Sequence, residues 1–165
     1  MTIHLEYEAT RQLNIDYHEL INSVVQECLD YQECPYETEI SILLTDDNEI
    51  KDINKEFRGI DKATDVLSFP ATSYEIAGDF TNIDENSMDT FNPETGELIL
   101  GDIVISVDRA LAQAEEYGHS ITREIAFLTA HSMFHLMGFD HMSDEDRRDM
   151  EYKQEEVLKR LNINR

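Results

Sequence analysis

Lysine and arginine are scarce in this chain, 13 against 36 aspartates and glutamates in 165 residues, for a formal charge of −23. Residues 1–50 hold one basic residue, Arg11, among twelve acidic ones, and residues 63–108 hold ten acidic residues and no basic one. A pI near 4.3 excludes a grip on nucleic acid by bulk charge, so composition alone argues against RNA. Cysteine is scarce too. Two residues, Cys28 and Cys34, make a disulfide framework a poor reading and suit reduced thiols. No apolar run reaches the roughly 18–20 residues of a membrane span, so no membrane partner is expected. Met1-Thr2-Ile3-His4-Leu5-Glu6 has neither a basic n-region nor an apolar h-region, which makes the cytoplasm the expected location.

What is present is a globular composition, with 41% apolar residues, seven Phe and seven Tyr. The length fits one domain of roughly 100–200 residues spanning 1–165. Such a chain buries roughly 70% of its unfolded surface and needs no metal merely to fold. Ile3, Leu5 and Tyr7 alternate as in a strand. Asp16 to about Cys34 carries a helical stripe of Leu20, Ile21, Val24, Val25, Cys28 and Leu29. Glu39–Leu44 reads as a strand, and Thr45 as the cap of a short helix through Phe57, with Ile50, Ile53 and Phe57 facing inward and Gly59 ending it. Val66–Phe69 and Leu98–Ile105 read as strands, the second with Gly101 at a bulge or close approach. Residues 71–97 lack periodicity and are expected as a mobile acidic loop. The last third is helical: Arg109–Tyr117, an all-round apolar Ser120–Met137, and a helix capped by Ser143 that carries Met150, Val157 and Leu161. Strands and helices mix without regular alternation. The expected fold is α+β, a small mixed sheet packed on helices, with a central buried helix that carries three histidines.

Those histidines stand in His131-Ser132-Met133-Phe134-His135-Leu136-Met137-Gly138-Phe139-Asp140-His141. A lone His such as His4, His18 or His119 is ordinarily a satisfied structural residue. His131 and His135, however, are four apart on one helix face, close enough to share an ion. Gly138 can end the helix in a reversal that brings His141 over the same face. Three protein ligands with one open position are the usual arrangement of a catalytic zinc, one ion per chain. The spacing is also that of the extended zinc-protease motif, but Ser132 stands where the general-base Glu belongs, which argues against peptide hydrolysis by that route. One further stretch stands out. Residues 51–62 carry four basic and three acidic side chains, the only positive balance before residue 109, and Arg58 sits beside the helix-ending Gly59. Lys51 and Lys55 read equally well as a solvated helix face.

The final motif resembles the signature of the YbeY family of bacterial endoribonucleases and rRNA maturation factors. So, in order, do Phe57-Arg58-Gly59 with Asp61-Lys62, Thr64-Asp65-Val66-Leu67-Ser68-Phe69-Pro70, and Leu100-Gly101-Asp102-Ile103-Val104-Ile105. Ser132 stands where many members have Gly and Phe139 where Tyr is common; neither change removes a ligand. The resemblance implies a metal-dependent, single-strand-acting endoribonuclease in rRNA maturation and ribosome quality control. Its partners would be ribosomal RNA and the small ribosomal subunit, with other proteins supplying specificity. Zinc on His131, His135 and His141 would polarise a phosphoryl oxygen or lower the pKa of a water toward about 7. Arg58, matching the family arginine, would hold the phosphate and stabilise developing charge, and Asp140 reads as a partner of a histidine ring or as an ordinary turn residue. The alternatives are a ribosome assembly factor with a structural metal and a divergent metalloprotease. The acidic surface limits how RNA is held, pointing to weak binding with a shallow salt slope.

Overall fold

The alternation at the N-terminus builds β1 (Thr2–Tyr7), which pairs in parallel with β2 (Thr38–Thr45). The computed structural model describes residues 1–83 and 89–164. Between these strands α1 (Tyr17–Tyr31) crosses over, its first turn capped by the Asp16 carboxylate, which accepts from the Glu19 amide at 3.1 Å. The helix stops at Tyr31, short of the expected Cys34, because Glu33 turns to a positive φ of 53°.

The helix α2 (Asp47–Arg58) starts one residue later than expected. Thr45 is the last residue of β2, buried and paired with Ser106, so it cannot cap, and Asp46 takes the cap position instead. The Asp46 carboxylate accepts from the Thr10 amide and hydroxyl at 2.9 and 2.8 Å rather than from the helix. Ile50 is buried as expected, but Phe57 is 64% exposed and meets only the edge of the Phe69 ring, at 5.7 Å between centroids. Gly59, at φ 70°, ends the helix in the left-handed conformation.

Two further strands complete the sheet in the order β1-β2-β4-β3. The long β4 (Leu98–Ser106) runs parallel to β2, and β3 (Val66–Pro70) lies antiparallel at the edge beyond it. The pairing steps from Glu39 with Ile99 to Ile40 with Gly101, leaving Leu100 as the extra residue of a bulge. Gly101 has φ 139°, and a Cβ there would come within 2.1 Å of the Phe69 carbonyl oxygen, so a side chain is excluded.

Three helices follow: α3 (Val107–Tyr117), α4 (Ile121–Leu136) and α5 (Asp144–Arg160), capped by Ser106, Ser120 and Ser143. The main core lies between one sheet face and α1 and α4, where Ile40, Ile42, Ile103 and Ile105 meet Ile125, Met133 and Phe134. Eleven of the sixteen residues of α4 are buried, as its all-round apolar sequence requires. On the other sheet face, Ile50 of α2 packs with Leu67 and Val104 in a smaller cluster. The result is one α+β domain with a mixed sheet, as expected.

Within 71–97, residues 84–88 of the expected mobile loop lie outside the described residues. The described flanks are anchored to the body of the domain. Thr72 donates to the Ile99 carbonyl at 2.8 Å, Phe80 is 5% exposed, and Phe91 bridges to Leu98. Tyr74, Phe80, Ile83 and Phe91 are widely spaced in sequence, so they show no periodicity, yet each packs on the core.

Candidate metal centre

The helical period puts His131 and His135 one turn apart near the end of α4, with Nε2 atoms 3.1 Å from each other. The helix then reverses at Gly138, φ 96°, whose missing Cβ makes room for the Tyr74 ring; a methyl there would come within 2.9 Å of it. Gly78 fastens the same turn, donating its N–H to the Met137 carbonyl at 2.8 Å. The reversal returns His141 to the helix face, its ring centroid 5.2 Å from that of His135 and 6.0 Å from that of His131. All three predicted imidazoles therefore converge.

Asp140 joins them. Its carboxylate and the ligand nitrogens of His135 and His141 lie within 4.8 Å of one another, so these three side chains are positioned to hold a metal. Asp140 also accepts the His141 amide hydrogen at 2.8 Å, which stiffens the turn. The ligand set therefore has a carboxylate candidate beside the three imidazoles, where the sequence suggested a ring partner or a turn residue.

The donor chemistry fits a cation. His135 Nδ1 lies 3.0 Å from the Phe139 carbonyl, which can only accept, so Nδ1 carries the hydrogen and the Nε2 lone pair of the neutral ring is free. His131 Nδ1 lies 2.9 Å from the Gln154 side-chain amide, whose carbonyl oxygen is buried without a partner. A half-turn of that amide puts the oxygen on Nδ1 and leaves His131, like His135, with a free Nε2 lone pair. Two lone pairs 3.1 Å apart repel unless a proton or cation lies between them. Tetrahedral zinc with bonds of about 2.0–2.1 Å brings ligand nitrogens to a similar separation. Burial, with His135 beside it, holds the His131 pKa down to about 4, and burial also lowers that of His135. Both rings are thus neutral, as ligands must be.

Facing this cluster is a groove of about 420 Å³ lined by Arg58, Asp65, Ser68, the three histidines and Asp140. Arg58 reaches it from the last turn of α2. Among the described residues no carboxylate pairs with Arg58, whereas Lys51 and Lys55 both lie 3.9 Å from Asp61, the solvated pairs expected of that face. Ser132 is fully buried, and its hydroxyl accepts from Ser68 on β3 at 2.9 Å, so nothing at that position serves as a protease base. Two groups near the site have no role assigned from the sequence. Asp65 lines the groove, its carboxylate accepting from the Val66 amide at 2.8 Å and from Gln113 at 3.3 Å. Gln154 is 1% exposed and sits on the buried stripe of α5 between Met150 and Val157. A polar residue on an apolar stripe was its one sequence signal.

A mixed sheet over a buried helix, with paired imidazoles and a third beyond a glycine turn, defines a single-domain protein built around a metal-binding groove. The family model for Endoribonuclease YbeY matches residues 4–162, and the chain belongs to that family. It is similar to curated proteins named Endoribonuclease YbeY from Lachnospira eligens, 53% identical, and Lachnoclostridium phytofermentans, 52% identical, each match covering all of both chains. One from Agathobacter rectalis is 48% identical over the whole of both chains. The fold is also similar to the solution structure of a Thermotoga maritima protein, with a TM-score of 0.56 at 20% identity, covering 97% of this chain and 91% of that one.

Proposed function

We propose that this protein is a metal-dependent endoribonuclease that hydrolyses phosphodiester bonds of single-stranded RNA in rRNA maturation and ribosome quality control. The observation that carries this reading is the groove in which three imidazoles face Arg58. His131, His135 and His141 hold one Zn2+ per chain. When bound, the ion supplies Lewis-acid polarisation of a phosphoryl oxygen and lowers the pKa of a water. The chain's own residues do the rest. Arg58, with no carboxylate paired to it among the described residues, takes the phosphate by charge-assisted hydrogen bonds and stabilises the charge that develops on it. The carbonyl of Phe139 and the amide of Gln154 fix the ring orientations. Ribosomal RNA and the small ribosomal subunit are the proposed partners, with other proteins adding specificity, and the cytoplasm the proposed location. No helix among the described residues is long and apolar enough to cross a membrane.

The test is cleavage of single-stranded RNA by purified zinc-loaded protein, with metal content measured alongside. Cleavage should vanish in His135→Ala and fall at least about a hundredfold in Arg58→Ala, the scale of losing one preorganised charge contact. Equal cleavage by both variants would assign the activity to a contaminant. The second reading is an assembly factor with a structural metal, and Asp140 favours it, because a fourth protein ligand closes the coordination shell. If Asp140→Asn loses metal as completely as His135→Ala and the wild type never cleaves RNA, that reading stands.

A further inference from the structure

The acidity of the chain leaves a problem that the metal groove does not solve: one arginine is a poor hold on a polyanion. A second cavity, of about 220 Å³, adjoins the groove on its α5 side and shares Asp65, Val66, His131 and His141 with it. Its walls are mainly apolar, with Leu128 and Met150 each 2% exposed as its floor and Phe127 and Val66 half-buried at its sides. The Phe127 ring lies nearly parallel to that of His131, 19° between planes, so an aromatic wall runs from the cavity to the metal cluster. Arg147 lines the same cavity. Among the described residues lining the two cavities, the cationic side chains other than histidine are Arg58 in one and Arg147 in the other.

Arg147 is free to change partners. It pairs with Asp144 at 3.3 Å and Glu151 at 4.0 Å, but all three side chains are more than half exposed, and such pairs contribute little. A phosphate offers a better, bidentate partner. Of the nearby carboxylates, that of Asp65 is hydrogen-bonded by the Val66 amide and by Gln113, and that of Asp140 lies within the metal cluster, where a cation would offset its charge. Asp65 and Glu151 are the acidic side chains that line the cavity, so an anion there is held against both.

We propose that this second cavity is a nucleotide subsite, in which a base adjoining the scissile phosphate stacks against Phe127 while Arg147 holds the next phosphate. The proposal rests on the endoribonuclease reading and gives it a substrate path: single-stranded RNA crosses from Arg58, over the imidazoles, to Arg147. A duplex is disfavoured because its bases are already stacked and paired. Stacking on a ring is tolerant of sequence, so the subsite reads a free base rather than a particular one.

The test uses zinc-loaded protein and a fluorescent single-stranded oligonucleotide, followed by steady-state cleavage and by anisotropy at several salt concentrations. Arg148 is the control, an exposed arginine next in sequence that does not line the cavity. Arg147→Ala should raise KM several-fold more than it lowers kcat, and should flatten the plot of log K against log salt by about 0.7, one phosphate contact on a single strand. Arg148→Ala should change the slope by less than half as much. An abasic nucleotide on one side of the scissile bond should weaken wild-type binding about tenfold, and should cost less in Phe127→Ala. Equal effects of Arg147→Ala and Arg148→Ala, or abasic substrates that bind as tightly as intact ones, would overturn the subsite while leaving cleavage intact. If the wild type binds with the Arg147 dependence but never cleaves, the subsite stands and the hydrolytic reading fails.

Discussion

Two imidazole sites lie at opposite ends of α4, and they are built differently. At the start, His119 donates from Nε2 to the Glu124 carboxylate at 2.5 Å, with side chains only 7% and 3% exposed. Beside them Arg123, 5% exposed, reaches the Glu155 carboxylate at 2.5 Å and the Ile163 carbonyl at 3.2 Å. At the far end His131 and His135 are only part-buried and line the groove, and each Nε2 faces the other. The first site sets the ring against one carboxylate and the guanidinium against another within the protein, with His119 Nδ1 and Arg123 Nε left without hydrogen-bond partners. At the second both rings spend their Nδ1 atoms on carbonyl or amide groups and set like Nε2 atoms against each other, so a proton or a cation has to lie between them. Burial therefore does not mark a functional histidine; an imidazole pair whose opposed nitrogens can take a cation between them does.

The largest contrast is expected from cutting each site once. His135→Ala should abolish metal retention and RNA cleavage while leaving the metal-free protein folded, since a smaller side chain removes the opposed lone pair. Glu124→Leu should do the reverse. It strands His119 without an acceptor, costing about 3 kcal/mol, or roughly 10 °C in Tm, yet zinc content and cleavage at low temperature should stay near wild type. Metal analysis, RNA cleavage and calorimetry on the two variants measure all of this. Loss of zinc in Glu124→Leu at a temperature where it remains folded would break the distinction.

Acid sharpens the same contrast in chelator-treated protein. An unfolded imidazole takes its proton near 6.5, whereas His131 in the fold takes one only near 4. Between those values the unfolded chain binds more protons, so stability is fully present above 6.5 and is lost as pH falls toward 4. At about 1.4 kcal/mol per pKa unit the His131 contribution is at most about 3–4 kcal/mol, and His135, lowered in the same direction, adds to it. Denaturant titrations at pH 7, 5.5 and 4.5 should show this loss in the wild type and a smaller one in His131→Leu. Identical pH slopes would place the acid sensitivity elsewhere.

How far this site was legible from sequence follows from which interactions are local. His131 and His135 were visible because a helix turns every 3.6 residues, and His141 because Gly138 announces the reversal. Strand positions followed from runs such as Ile40-Ser41-Ile42-Leu43-Leu44, and Gly101 from its place inside one. Contacts made across the fold were not legible. Phe57 has the spacing of an inward residue, but α2 covers only part of the sheet and leaves it exposed. Tyr74 and Gly78 brace the turn that carries His141, from a segment with no periodic pattern. Asp140 enters the metal cluster through the shape of a turn that spacing does not specify.

Gln154 is the smallest lever on the comparison and the most informative. With its amide nitrogen toward His131 Nδ1, that ring must carry its hydrogen on Nε2, directed at His135, and the amide oxygen stays unpaired. With the amide reversed, Nδ1–H donates to the oxygen and both Nε2 lone pairs are free for a cation. The second state is suited to metal and the first to its absence, so the amide rotation is coupled to occupancy. A carboxylate at this position has no donor end and would enforce the metal-ready state, which is the arrangement that raises ligand basicity in carboxylate–histidine–zinc groupings. Gln154→Glu should therefore tighten zinc, and Gln154→Leu should weaken it by about 10–100-fold, the usual range for losing such a partner. Competition with a chelator of known affinity measures both without reference to activity. If Gln154→Glu and Gln154→Leu weaken zinc equally, the residue acts through packing alone, and the two ends of α4 differ only in their anion, not in how their ring orientations are set.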